Sequence, residues 1–220
     1  MIALHLIKED ILPLTITDTA SEALGRMNEY KVSHFPVVDD GFFIGVISEK
    51  DIYNHENLDK ELQKEFIRFD NYYVNDQQYF FEVLKLASNQ KLSLIPVIDS
   101  KGIYIGCITQ NDIIGFFAES MSVDFPGGVI VLEVSVNDYS LTEIANIVET
   151  NEAKMLSSFI LSKVNSTKLE VIIKVSKLDL GSILQTFERF EYQIVASFGE
   201  QIDFDELKDN YDSFINYLNI

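Results

Sequence analysis

Apolar positions along the chain change their spacing several times, and the changes recur in the same order. In "LPLTIT" (residues 12–17) Leu12, Leu14 and Ile16 alternate with other residues, the period of a short strand. In "ASEALGRMNEY" (20–30) Ala20, Ala23, Leu24 and Met27 fall on one helical face, with Asp18 or Thr19 placed to cap its start. "HFPVVD" (34–39) and "FFIGVIS" (42–48) are apolar runs of strand length, separated by Asp40-Gly41, a dipeptide suited to a tight hairpin. "SEKDIYNHE" then opens a second helix, with Ser48 at its cap and Asp51 at the spacing of a capping box.

The order then repeats: strand "NYYV", helix "QQYFFEVLKLAS", strands "LIPVID" and "IYIGCIT" around "SKG", and helix "QNDIIGFFAES". Laying Pro36 over Pro96 brings Glu22, Leu24, Lys31, Ser33 and Val37 onto Glu82, Leu84, Lys91, Ser93 and Val97. One extra residue in "DSKG" relative to "DDG" is absorbed in the turn, and the register resumes at Gly45 and Gly106. "GVISEKDI" and "GCITQNDI" are the most similar stretches. The chain therefore carries two copies of a β-α-β-β-α unit, at about 1–60 and 61–122, and neither copy buries its apolar face well alone.

After "DFPGG" the pattern changes. "VIVLEVSV", helix "DYSLTEIANIVETN", "KMLSSFILSK", "KLEVIIKVS", helix "DLGSILQTFERF" and "YQIVASFG" give β-α-β-β-α-β over 123–200, the ferredoxin-like order. The expected buried faces are Leu141, Ile144, Ala145 and Val148 in one helix, and Leu180, Ile183, Leu184 and Phe187 in the other. Residues 201–220 place Leu207, Tyr211, Phe214 and Leu218 at helical spacing in an acidic tail. The fold class is α+β.

Charge narrows the function. The formal net charge is −18, the acidic excess runs along the whole chain, and no stretch gathers Lys and Arg, so a nucleic-acid partner is disfavoured. No apolar run reaches the length of a membrane span, and "MIALHLIKED" lacks the basic start and long apolar core of a signal peptide. The chain is expected in the cytoplasm, with no membrane partner. Cys107, the one cysteine, reads as a small buried residue of "IYIGCIT". His5, His34 and His55 fall in unrelated elements without metal-ligand spacing, so neither a metal site nor a catalytic site is expected.

The doubled pattern P-V-[VI]-D, glycine turn, [IV]-G-x-I-[ST]-x-x-D-I resembles a tandem pair of CBS domains, the Bateman module. The resemblance implies two units stacked through their sheets about a pseudo-twofold axis, with clefts between them that take adenosyl ligands such as AMP, ADP, ATP or S-adenosylmethionine. It implies phosphate contacts for Ser48 and Thr109 and ribose contacts for Asp51 and Asp112, and it puts Phe35, Ile95 and Thr15 near adenine. Carboxylates suit a vicinal diol, and free amides at a helix start suit phosphate. His34 stands where nucleotide-binding relatives carry a basic residue; Lys50, Lys101 and Arg26 are the other nearby cations. Glu49 adds negative charge beside Ser48, whereas Gln110 and Asn111 are neutral, so the Thr109/Asp112 cleft is the more hospitable. The capping spacing alone also accounts for both hydroxyl–carboxylate pairs without a ligand.

The third segment, placed behind such a pair, resembles an ACT-type domain, as in acetoin-utilisation-type regulatory proteins. Amino-acid-binding members of that type carry an acidic residue, proline and glycine after the first strand. Here Asp138 is followed by Tyr139 and Ser140, and Ser140 with Glu143 forms a helix cap, which favours a dimerising sheet without a ligand. The expected function is a non-catalytic regulatory sensor of an adenosyl ligand. The two resemblances imply a homodimer that acts on a protein partner, which they do not name. The alternative is a ligand-free dimerisation and protein-interaction module.

Overall fold

The computed structural model describes residues 1–8, 10–54, 58–62, 67, 72–162 and 166–199. The tail helix expected over 201–220, His55, and Asn71 at the start of "NYYV" lie outside the described residues. The chain divides into two compact units, Met1–Phe116 and Phe117–Ile220.

In the first unit, β1 (Leu14–Thr15) is shorter than its sequence pattern because Asp18 turns back on it. The Asp18 carboxylate accepts from Thr15 N–H at 2.7 Å and its own N–H donates to the Thr15 carbonyl. Thr19 caps α1 (Ala20–Tyr30) in a reciprocal capping box with Glu22. Those bonds, the one from Thr19 N–H foremost, hold the Glu22 carboxyl below the usual carboxylate range. α1 buries Ala20, Ala23 and Met27 and ends at Lys31 in the left-handed conformation. β2 (His34–Asp39) and β3 (Phe42–Ser48) pair antiparallel through a turn in which Asp40 and Gly41 stand at φ 49° and 81°, the two left-handed positions that a two-residue hairpin demands. The described part of α2 is Glu49–Ile52, capped by Ser48.

The second repeat builds β4 (Val74–Asn75), α3 (Phe80–Gln90), β5 (Leu94–Ile98), β6 (Tyr104–Thr109) and α4 (Gln110–Ser120). α3 starts at Phe80 rather than Gln77 because Gln78 is spent on a turn, its side-chain oxygen accepting from Asn75 N–H at 2.7 Å. The sheets have orders β1-β2-β3 and β4-β5-β6, with β1 and β4 parallel to their neighbours. Their cores are interleaved. Leu94 and Cys107 of the second repeat pack with Leu14, Phe35 and Ile47, while Ala3 and Val46 pack with Val83, Ile95 and Ile108. Neither repeat closes its core without the other, as expected from two half-buried units.

The N-terminal residues belong spatially to the second repeat. A 3-10 turn, Ala3–Leu6, donates through the N–H groups of Ala3 and Leu4 to the carbonyls of Gln78 and Asp76. Lys8 N–H then donates to the Cys107 carbonyl at 2.8 Å. Gly106 allows this approach: it sits at φ 144°, and a Cβ there would lie 2.2 Å from Ile7 Cγ2.

The second unit is a four-stranded antiparallel sheet of order β10-β7-β9-β8, from β7 (Gly128–Ser135), β8 (Met155–Ser162), β9 (Lys168–Val175) and β10 (Gln193–Phe198). With α5 (Leu141–Thr150) and α6 (Gly181–Arg189) it forms the ferredoxin-like arrangement. Ile130, Leu132 and Val134 alternate inward from β7 against Ile144, Ile147, Val148, Ile183 and Phe187. Ile147 takes a core position in place of Leu141, which is 45% exposed. The first unit ends at Phe116, inside α4, upstream of the break expected at 122/123. Met121 and Ser122 bond to β8, and Lys174 to the Ser122 and Val123 carbonyls, which ties this stretch to the second unit. Among the described residues, no helix is long and apolar enough to cross a membrane.

Candidate functional site

A cleft of about 320 Å³ lies at the start of α4 in the first unit. Its floor is the turn from β6 into α4. Asp112 Oδ2 accepts from Thr109 N–H at 2.9 Å and from the Thr109 hydroxyl at 2.6 Å, while Asp112 N–H donates to Thr109 Oγ1 at 3.2 Å. The expected hydroxyl–carboxylate pair is therefore a closed capping box. Oδ1 of Asp112 takes no part in this box, and Lys8 Nζ stands 3.6 Å from it. The side chain of Asp112 is 17% exposed and that of Lys8 54%.

The facing wall is made by Lys8, Asp10 and Ile11, held from three directions. Cys107 pairs with Lys8 through the backbone, the Tyr104 hydroxyl donates to the Ile11 carbonyl at 3.3 Å, and the Tyr30 hydroxyl donates to the Asp10 carbonyl at 3.2 Å. Burial raises both groups beneath this wall, Tyr104 well above its ordinary value and Cys107 to about 12, so both stay protonated and neutral. Ile11, Val32 and Tyr30 give the cleft apolar surface, and Gln110 and Asn111 present the start of α4. Lys31, Val32, Ser93 and Gln110 also line an adjoining, wider cleft of about 740 Å³ that runs past Met27, Glu49 and Tyr53. The chemistry on offer is the Asp112 oxygen outside the box, the Asp10 carboxylate, two lysine ammonium groups, a helix start and a small apolar wall.

The other nominated residues lie elsewhere. Ser48 is 4% exposed, and its hydroxyl donates to Asp51 Oδ2 at 2.6 Å while accepting from Asp51 N–H at 3.1 Å. Of that turn, Glu49 is the residue that lines the wider cleft. Phe35 and Ile95 line neither cleft. β2 and β5 are the middle strands of their sheets and are covered on both faces, which puts both side chains, wholly buried, in the cores. Thr15 stays on the surface with its hydroxyl 2.9 Å from that of Thr17. His34 Nδ1 accepts from Ser93 N–H at 3.3 Å and lies 3.1 Å from Ser93 Oγ, which in turn accepts from Ser33 N–H. It thus joins the two repeats at their paired serines. Arg26 donates to the Pro13 carbonyl and lies 3.7 Å from Asp18, bracing the entry to α1.

Lys8, Asp10 and Tyr30 were not nominated from the sequence. Both Lys8 and Asp10 precede the first repeat's pattern; Lys8 reaches the cleft by pairing with β6, and Asp10 is held there by the Tyr30 hydroxyl. In the second unit Ser140 Oγ accepts from Glu143 N–H at 3.3 Å, the cap expected there. Asp138 and Glu143 line a recess of about 270 Å³ together with Glu133 and Glu191, and its lysine, Lys168, is paired with Glu133. Such a surface opposes a carboxylate ligand.

The family model for the CBS domain matches residues 3–56 and 64–119. Inosine-5'-monophosphate dehydrogenase of Korarchaeum cryptofilum is 28% identical over 111 residues, 50% of this chain and 23% of that one. The enzyme of the same name from Methanocaldococcus jannaschii is 28% identical over 107 residues, 48% of this chain and 21% of that one. The matched stretch thus spans under a quarter of the length of these relatives. A CBS domain pair/ACT domain protein from Thermotoga maritima superposes with a TM-score of 0.50 at 21% identity, over 55% of this chain and 99% of that one, a likeness of fold alone.

Proposed function

The chain belongs to the CBS-domain family, and we propose that it is a non-catalytic regulatory sensor that takes an adenine nucleotide or another adenosyl ligand in the cleft at Thr109 and Asp112. The observation that carries this reading is the convergence, in one cleft, of the Asp112 oxygen outside the box, a helix start and the ammonium groups of Lys8 and Lys31. Asp112 Oδ1 accepts from a ribose hydroxyl. The Asn111 N–H, at the positive end of the helix dipole, and the lysines draw phosphate, while the Gln110 N–H stays on the Ser93 carbonyl. Adenine lies against Ile11, Val32 and Tyr30.

A ligand in this position touches the wall of Lys8, Asp10 and Ile11, the end of α1 and the start of α4 at once. These come from both repeats, so occupancy favours whichever arrangement of the repeats brings the three together. In this reading residues 1–122 sense, the sheet of 123–200 assembles a homodimer without a ligand of its own, and 201–220 form an acidic tail. The first-repeat pair, Ser48 and Asp51, serves as a helix cap. AMP, ADP, ATP and S-adenosylmethionine share the groups that the cleft recognises. Isothermal titration of the four against the full chain tests the reading: it requires saturable binding of at least one, and heats of dilution alone for all four would sink it.

A second reading has one observation in its favour. Both hydroxyl–carboxylate pairs are already bonded internally, so the repeats are complete without a ligand. The chain would then be a dimerisation and protein-interaction module, and no nucleotide would alter its stability.

A further inference from the structure

Asp112 has one carboxylate oxygen committed to its own helix cap, where Oδ2 accepts two bonds from Thr109. The remaining oxygen is the one against which Lys8 stands. The cleft therefore carries an internal occupant at the very atom that a sugar hydroxyl needs. From this geometry, and resting on the cleft reading above, we infer that Lys8 is a specificity-determining residue that makes the cleft select phosphorylated ligands over the bare nucleoside.

The argument is one of exchange. A nucleoside reaching Asp112 Oδ1 must displace the Lys8 ammonium and brings it no counter-charge in exchange. A nucleotide displaces it too, but offers a phosphate to which the same ammonium transfers. Lysine suits this role because its charge is compact and its four-carbon stem is flexible. The Lys8 backbone is held by Cys107, so the ammonium swings from a fixed base. Lys31 lines the same cleft from the end of α1, but its ammonium is 3.1 Å from Asn28 Oδ1 and, among the described residues, on no carboxylate, so it adds attraction without gating Asp112. Asp10, on the same wall as Lys8, adds a negative charge that makes an unpartnered phosphate less welcome and the contribution of Lys8 correspondingly larger.

The test is titration of adenosine and AMP against the full chain, its Lys8→Gln variant and its Lys8→Arg variant. Glutamine keeps the length and loses the charge, and the backbone bond to Cys107 does not depend on the side chain. Release of a half-exposed ion pair should tighten adenosine by about three-fold in Lys8→Gln. Loss of a charge-assisted bond to phosphate should weaken AMP by about ten-fold or more. The preference for AMP over adenosine should thus fall at least thirty-fold by this estimate, and Lys8→Arg should retain most of it. A preference within about two-fold of wild type in Lys8→Gln would overturn the inference and leave the cleft reading standing. Failure of both ligands to bind all three proteins would overturn this inference, and the cleft reading would then rest on the titrations of ADP, ATP and S-adenosylmethionine.

Discussion

Replacing Gly106 by alanine should destabilise the first unit and open the candidate cleft in one step. Gly106 lies in β6 at φ 144°, where a side chain is strained whatever space surrounds it, and such a conformation costs about 1–3 kcal/mol for other residues. The new Cβ would stand 2.2 Å from Ile7 Cγ2 and 3.2 Å from the Lys8 carbonyl oxygen. The isoleucine methyl can swing aside, but the carbonyl is backbone and must retreat, so the packing cost belongs at the lower end of the usual range, about 1 kcal/mol. The two together come to about 3 kcal/mol, a large part of the stability of a domain this size. The corresponding fall in midpoint is on the order of 10 °C. Retreat of Lys8 also lengthens its 2.8 Å bond to Cys107, so ligand affinity should fall with stability. The control is Gly115→Ala in α4, where a Cβ meets nothing within 4 Å and helix propensity should add about 1 kcal/mol. Calorimetry and far-ultraviolet dichroism on both variants give the answer. A Gly106→Ala transition within about 2 °C of wild type would refute the claim that the N-terminal segment is seated on that glycine.

Four further outcomes follow from the geometry. Thr109→Ala should cost about 1 kcal/mol in urea unfolding and Thr109→Ser should restore most of it; an alanine variant as stable as wild type would mean the cap bonds contribute nothing. Cys107, titrating at about 12, should have a thiolate fraction of roughly one in ten thousand near pH 8, so a thiol-specific disulfide reagent should label it only on unfolding, and rapid labelling of the native chain would contradict its burial. The same group ties stability to pH: the native state keeps a proton that the unfolded thiol sheds from pH 9.0 upward, so this contribution is full below 9.0 and fades toward about 12. With Tyr104 raised alongside it, the urea midpoint of the first unit should drop as pH rises from about 9 toward about 12, less so in a Cys107→Ala variant, and a flat profile would be the wrong result. Phe187→Ala, at a wholly buried position, should cost the second unit about 3–5 kcal/mol, read as a fall in its own calorimetric transition.

The sequence exposed what is locally encoded. The bounds of α1, β2, β3 and α4 follow from side-chain period and end signals, and the Asp40-Gly41 hairpin from turn chemistry, because each is decided within a few residues. The Thr109/Asp112 pair was legible for the same reason. The cleft's far wall was not. Lys8 reaches it through pairing with β6, about a hundred positions away, and Asp10 and Ile11 are held by the Tyr30 and Tyr104 hydroxyls, contacts that leave no periodic trace. Phe35 and Ile95 were nominated by analogy with the motif, yet a strand covered on both faces has no open side on which to present them. His34 was placed by the same analogy, and its bonds to Ser93 depend on how the repeats meet. Local rules likewise set the start of α3 too early, because a glutamine in a turn and a glutamine in a helix look alike until Asn75 is seen to use it.

The most direct test of the central claim is thermal unfolding of the purified chain against AMP, ADP, ATP and S-adenosylmethionine, with Asp112→Ala and Asp51→Ala alongside, each compared with its own ligand-free midpoint. Ligand at a hundred times its dissociation constant should add about 2.7 kcal/mol to the stability of the folded state. The expected result is a saturable rise in wild type and in Asp51→Ala that is absent in Asp112→Ala. No rise with any ligand at millimolar concentration, or an equal rise in Asp112→Ala, would contradict an adenosyl site at the start of α4.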